Sequence, residues 1–167
     1  IVLSCAATVA TFFGRFFSMA EMSDYCENLV LNHTLGYSDI GSFVSQMYLA
    51  LHTADPTDAG SGTEVDVARQ AISFATASGT SGSVASTDAQ SFTSMPSGET
   101  VTHIGIWDHL SAGNLLFHTG VTASKAVASG DTITVAAAAI TITLARWLIT
   151  MVRVRGARVV AALKRRH

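Results

Sequence analysis

Three runs of alternating apolar and small or polar residues between Val101 and Leu144 constrain this chain more than any other feature. They are Val101-Thr-His-Ile-Gly-Ile-Trp-Asp108, Asn114-Leu-Leu-Phe-His-Thr-Gly120, and Thr132-Ile-Thr-Val135 continuing to Leu144. Gly, Asn, Asp or Ser residues break the pattern between them. Period-two alternation sends successive side chains to opposite faces, so the spacing predicts three strands of a β-meander. The last run changes phase. Ile133 and Val135 are odd-numbered, whereas Ile140, Ile142 and Leu144 are even-numbered. A bulge or bend at Ala136–Ala139 keeps both halves turned to the core, and curvature of that kind favours a sandwich or barrel over a flat sheet.

Further strands are expected upstream. Gln46–Thr53 alternates Met47, Leu49 and Leu51 against Tyr48, Ala50 and His52, and Gln70–Ala77 places Ile72 and Phe74 inward. Val84–Met95 is weaker, a polar edge strand or loop with Phe92 as its anchor. Ala54–Gly62 is dense in turn formers and reads as a loop, and Ser78–Ser83 as a flexible link. One helix is expected, Ser23–Leu35. Asp24 is the expected N-cap with Glu27 as its capping-box partner, and Gly36 is the stop. Cys26, Leu29, Val30 and His33 share one face at spacings of three and four, so the helix should lie against a sheet. The expected fold is mostly β: an antiparallel β-sandwich or barrel-like domain with one short N-terminal helix.

Charge divides the chain into three parts. All twelve acidic residues lie between Glu21 and Asp131, where only Arg69 and Lys125 oppose them, so residues 19–144 carry a net −10. Residues 145–167 hold seven basic residues and no acid. The expected organisation is an apolar N-terminal arm (1–21), a β-rich domain (22–144) and a basic C-terminal arm (145–167). The apolar run of residues 1–17 is broken at Arg15, which leaves it short of the roughly 20 residues of a spanning helix. It also has no basic region before it and no clear cleavage site after it. It reads as an arm, or as translated sequence upstream of a start at Met19 or Met22. Residues 145–167 read as a basic apolar helix interrupted by Gly156. Three explanations compete there: a partner-binding arm, a membrane-surface helix, or sequence lying beyond the domain.

Chemistry is harder to find. Cys5 and Cys26, the two cysteines, read as small apolar side chains made in a reducing cytoplasm. His103, Asp108, His109 and His118 fall within one predicted hairpin but lack paired ligand spacing, so they are expected to be hydrogen-bonded structural residues. Asp55, Asp58, Glu64 and Asp66 do not match an EF-hand loop and are expected to form a solvated acidic loop. Gly79-Thr-Ser-Gly82 has no following Lys or helix to make a phosphate loop. No Ser or Cys is flanked as an activated nucleophile. The expectation is therefore no catalytic residue, no cofactor-binding residue, no metal ligand and no enzyme.

Several runs, in order, resemble a small bacteriophage structural-protein family commonly labelled tail-fibre-like. They are Ser23-Asp-Tyr-Cys-Glu-Asn-Leu29, Ala50-Leu-His-Thr-Ala-Asp-Pro-Thr-Asp-Ala-Gly60 and Val67-Ala-Arg-Gln-Ala-Ile72, followed by Thr102-His-Ile-Gly-Ile-Trp-Asp108, Gly113-Asn-Leu-Leu-Phe-His118 and Ser129-Gly-Asp-Thr132. The resemblance spans residues 22–144 and reaches neither flank. It lacks a Gly-rich insertion usual before the strand matched by Val67–Ile72. The resemblance implies a virion component made in the bacterial host, without catalysis. A fibre needs length, through repeats or a stalk, so a compact β-domain is expected to decorate or cement the capsid surface. A tail-fibre or tail-tip knob is the alternative. The expected partners are other virion proteins, either the major capsid protein or tail proteins, and further copies of the chain. No nucleic-acid or membrane contact is expected of the core domain.

Overall fold

Thr100–Trp107 (β7) and Leu115–Ala126 (β8) form the long hairpin that the alternation predicts, in a computed structural model describing residues 9–12, 21–37, 44–78 and 82–144. Its turn is built by two side chains and a glycine. The Asp108 carboxylate accepts from the Asn114 backbone N–H at 2.6 Å and from Asn114 Nδ2 at 2.9 Å. Gly113 lies between them at φ +85°, where a Cβ would collide with that carboxylate. Position 113 therefore requires glycine on two counts.

Around this hairpin, Glu21–Met22 (β2), Met47–His52 (β3) and Gln70–Ile72 (β4) complete a five-stranded antiparallel sheet in the order β2-β8-β7-β3-β4. The predicted meander stops at two strands. Thr132–Val135 (β9) leaves this sheet and pairs with Gln90–Phe92 (β6), while Thr141–Thr143 (β10) pairs with Ser83–Ala85 (β5) in a third sheet. The phase change at the alanines is thus a switch between sheets. Ala138 has φ +58°, the Ala139 N–H closes a turn onto Ala136 C=O, and the Ala138 N–H bonds Ser86 C=O. Val9–Phe12 (β1) runs parallel to β9 on its other side.

Among the described residues the fold is mostly strands in antiparallel sheets with one short helix, and the sheets do not close into a barrel. The large sheet and the β6–β9 sheet share one core instead. Leu49, Leu51, Ile72, Ile104, Ile106 and Leu116 of the large sheet meet Phe92 of β6 and Ile133 of β9, with Met95, Val127 and Ile140 filling between. Phe92 is fully buried but is not the sole anchor of its segment, since Gln90 and Met95 are buried too. A bulge near Trp107 turns both Leu116 and Phe117 toward this core. A second irregularity, between Val101 and His103, puts Val101 in the core and leaves His103 level with Gly105 and Trp107 on the opposite face. His103 therefore does not share the face of Val101, as uninterrupted alternation predicts.

Asp24–Thr34 forms the helix (α1), with its cap one residue earlier than expected. Ser23, not Asp24, is the N-cap. Its hydroxyl accepts from the Cys26 N–H at 3.2 Å and donates to Leu115 C=O on β8, and the Ser23 N–H reaches Leu116 C=O at 3.0 Å. Asp24 and Glu27 lie in the first turn, where negative charge complements the helix dipole, and Glu27 is one position too late for a capping box. The helix buries far less than its pattern suggests. Cys26 is its one fully buried residue, whereas Val30, Leu31 and His33 are exposed. Residues 145–167, most of residues 1–20 and the Gly79–Ser81 link lie outside the described residues, and so do the readings given for them.

Candidate functional site

The face of β3, β7 and β8 turned away from the core carries Ala50 and His52, then Gly105 and Trp107, then Leu115 and His118. Residues 53–69 fold back over it. Thr53 and Val65 bond to Thr63 and Leu51 along the backbone. The acidic turn within this segment explains its sequence. Asp55 Oδ1 accepts from the Thr57 N–H at 2.9 Å, the Gly60 N–H returns to Thr57 C=O, and the Ser61 and Gly62 N–H groups both bond Pro56 C=O. Pro56 is buried beneath the turn.

Two side chains, Arg69 and His118, fasten this cover. Arg69 clamps Glu64 in a fork, Nε to Oε1 and Nη2 to Oε2, both at 2.8 Å. Its Nη1 donates to the carbonyls of His109 and Ala112 at 2.8 and 2.9 Å, which caps the β7–β8 turn. The guanidinium carbon lies 3.9 Å from the centre of the Trp107 ring. Four donors and one π-face are thus satisfied by one arginine, a geometry that Lys cannot reproduce. His52 also stacks with Trp107, ring centres 6.1 Å apart. Neither His52 ring nitrogen has a hydrogen-bond partner, and burial lowers its pKa from the ordinary histidine value despite the nearby Glu64 carboxylate. The ring is therefore held as neutral imidazole.

His118 is the second fastening. It is 3% exposed and stands directly opposite Glu21 of β2. Its Nδ1 is 3.2 Å from Asp55 Oδ1, and its Nε2 is 3.1 Å from Asp58 Oδ1 and 4.0 Å from Glu21 Oε2. The Asp55 carboxyl is held below its usual range, first by the Thr57 N–H and then by the charge of His118.

The hairpin histidines therefore do not gather. His103 bonds Thr102 Oγ1 at 2.8 Å, and His109 is exposed in the turn. His118 instead meets two members of the acidic loop, Asp55 and Asp58, while Glu64 goes to Arg69 and Asp66 stays exposed. That loop is a pair of anchors rather than a freely solvated run. Arg69 escapes motif reasoning, yet it is one of two basic residues in 126 residues holding twelve acids. Isolation of that kind, with Val67 and Ile72 nearby, is the signal by which the sequence could have singled it out. The Cys26 thiol is pushed up to about 11, chiefly by burial and then by Glu27, which leaves it unreactive at neutral pH.

Tyr25, Val30, Leu31, Leu35 and Tyr37 are exposed along α1 and the turn that follows it, Leu31 by 56% and Leu35 by 65%. Among the described residues no helix is long and apolar enough to cross a membrane.

Comparison with known families gives this β-rich body a place. The family model described as podophage GP4 fiber I protein gp80 matches residues 21–143, and the chain belongs to this family. It is thus a phage fibre-type structural protein, a component of the virion that interacts with other virion components. No curated protein matches the chain.

Proposed function

We propose that this protein is a non-enzymatic contact module of the virion, carried on the fibre or tail apparatus, and that the outer side of α1 is its docking surface. The observation that carries the reading is the set of exposed apolar residues on a helix whose cap, Ser23, is anchored to β8. A helix fixed at one end that leaves Tyr25, Val30, Leu31 and Leu35 exposed suits burial against another virion protein or a further copy, about 800 Å² per partner in a standard contact. The stapled loop supports the same role, since a binding body gains from rigidity before it docks. The family description, a fibre protein, supports the tail location.

Decoration of the capsid surface is the second reading. It is supported by the way the described strands share one main core, a shape suited to many copies on a lattice. Binding only the assembled shell would then stabilise that shell by mass action. The −10 charge of residues 19–144 suits a body that works away from DNA, and neither reading needs a membrane.

Counting copies in purified particles separates the two readings: a handful or dozens for a tail part, hundreds for decoration. The double variant Leu31→Lys/Leu35→Lys should fold normally and be missing from particles. Full incorporation of that variant would remove α1 as the docking surface.

A further inference from the structure

We propose that His118 Nε2, Asp58 and Glu21 form a binding site for one divalent transition-metal ion, of which Zn²⁺ is the natural probe. The three donor atoms lie within 4.8 Å of one another, and the imidazole is the fixed member. His118 is buried and held in register with both β7 and β2, while the Asp58 and Glu21 side chains are 57% and 71% exposed and free to adjust. Zinc bonds of about 2.0–2.2 Å place tetrahedral ligand atoms roughly 3.4 Å apart. The 3.1 Å separation of Nε2 from Asp58 is close to that already, and the 4.0 Å separation from Glu21 closes with a small swing of an exposed side chain.

A second, independent feature points to a ligand. The other ring nitrogen, Nδ1, faces Asp55 at 3.2 Å. A carboxylate there accepts from Nδ1–H and leaves the Nε2 lone pair facing Asp58 and Glu21, which is the outer-shell arrangement of metal-bound histidines. A divalent ion between Nε2 and the two carboxylates balances the charge of both. The nitrogen donor suits zinc, nickel or copper better than calcium or magnesium, which prefer all-oxygen shells. Such an ion would join β2, β8 and the acidic turn, three segments far apart in the chain. It would leave a coordination position facing solvent, for water or for a side chain from a neighbouring virion protein.

The test uses tag-free full-length protein stripped with a chelator and titrated calorimetrically with Zn²⁺. The expected result is one ion per chain and a rise in unfolding temperature of roughly 5–10 °C at a hundredfold excess over Kd. Glu21→Gln and Asp58→Asn, both at exposed side chains, should each weaken binding at least tenfold while the metal-free melting curve keeps its cooperative shape. Asp55→Asn, which touches no metal, should weaken it by about 10- to 100-fold. Three results would overturn the site. They are no heat and no thermal shift with Zn²⁺, Ni²⁺ or Cu²⁺, undiminished binding in the Glu21→Gln/Asp58→Asn double variant, or Ca²⁺ binding as tightly as Zn²⁺.

Discussion

The two faces of β3 and β7 are made from the same strands and hold together by different physics. Toward the core, Leu49, Leu51, Ile104 and Ile106 are aliphatic, at most 5% exposed, and packed against Phe92 and Ile133. Stabilisation there scales with apolar area and packing, and is indifferent to pH and salt. Toward the loop, Ala50, His52, Gly105 and Trp107 form a small second cluster with Leu115, roofed by Arg69 and the acidic turn. That face depends on aligned charges, on a close approach at Gly105, and on one histidine remaining neutral. One face gives the molecule its stability. The other gives one loop a single position, at the expense of sensitivity to conditions.

Substitutions on the two faces should separate these behaviours. Phe92→Ala should cost the most, about 4 kcal/mol, through lost burial and the cavity left behind, measured by urea unfolding. A loss below 1 kcal/mol would mean that the sheets do not share a core around it. Trp107→Ala should cost about 3 kcal/mol, because it removes the ring on which both His52 and Arg69 stack. An unchanged melting temperature would show that the second cluster contributes nothing. Arg69→Met keeps the stem and deletes the fork. It should cost about 2 kcal/mol and raise proteolysis within residues 53–69, whereas Arg69→Lys should recover little of either.

A smaller effect distinguishes the faces by pH. The folded-state pKa of His52 lies below its unfolded value, so between the two the unfolded chain binds more protons. Stability should therefore be full above about pH 6.5 and decline as pH falls from there toward the folded pKa. His52→Phe should flatten that part of a pH–stability profile. An equal slope in the variant would assign it to other groups. Leu31→Lys/Leu35→Lys, on neither face of the sheet, should shift stability by no more than about 0.5 kcal/mol.

Legibility in the sequence follows the same division. The core face was open to reading, since a buried sheet face imposes strict alternation, and β3, β7 and most of β8 run where the pattern puts them. The helix was located to within a residue. Its cap was misplaced because Ser23 and Asp24 are both good caps, and the choice was made by Leu115 and Leu116 across the β8 backbone. The alanine run marked a real discontinuity, but a bulge and a change of sheet look alike locally. Asp55 and Asp58 were recognised as an acidic loop and His118 as a hairpin residue. Nothing in their spacing joins Asp58 to a histidine 60 residues later.

The amino-acid order alone located the main strands, the turns and the helix to within a few residues, because side-chain alternation, glycine conformations and capping groups act locally. Tertiary structure alone decided that β9 and β10 leave the large sheet, that Arg69 roofs Trp107, and that Glu21, Asp55 and Asp58 converge on His118. Those outcomes depend on which distant segments close on one another. Closure is governed by the burial of the whole core, and no short stretch of sequence records it.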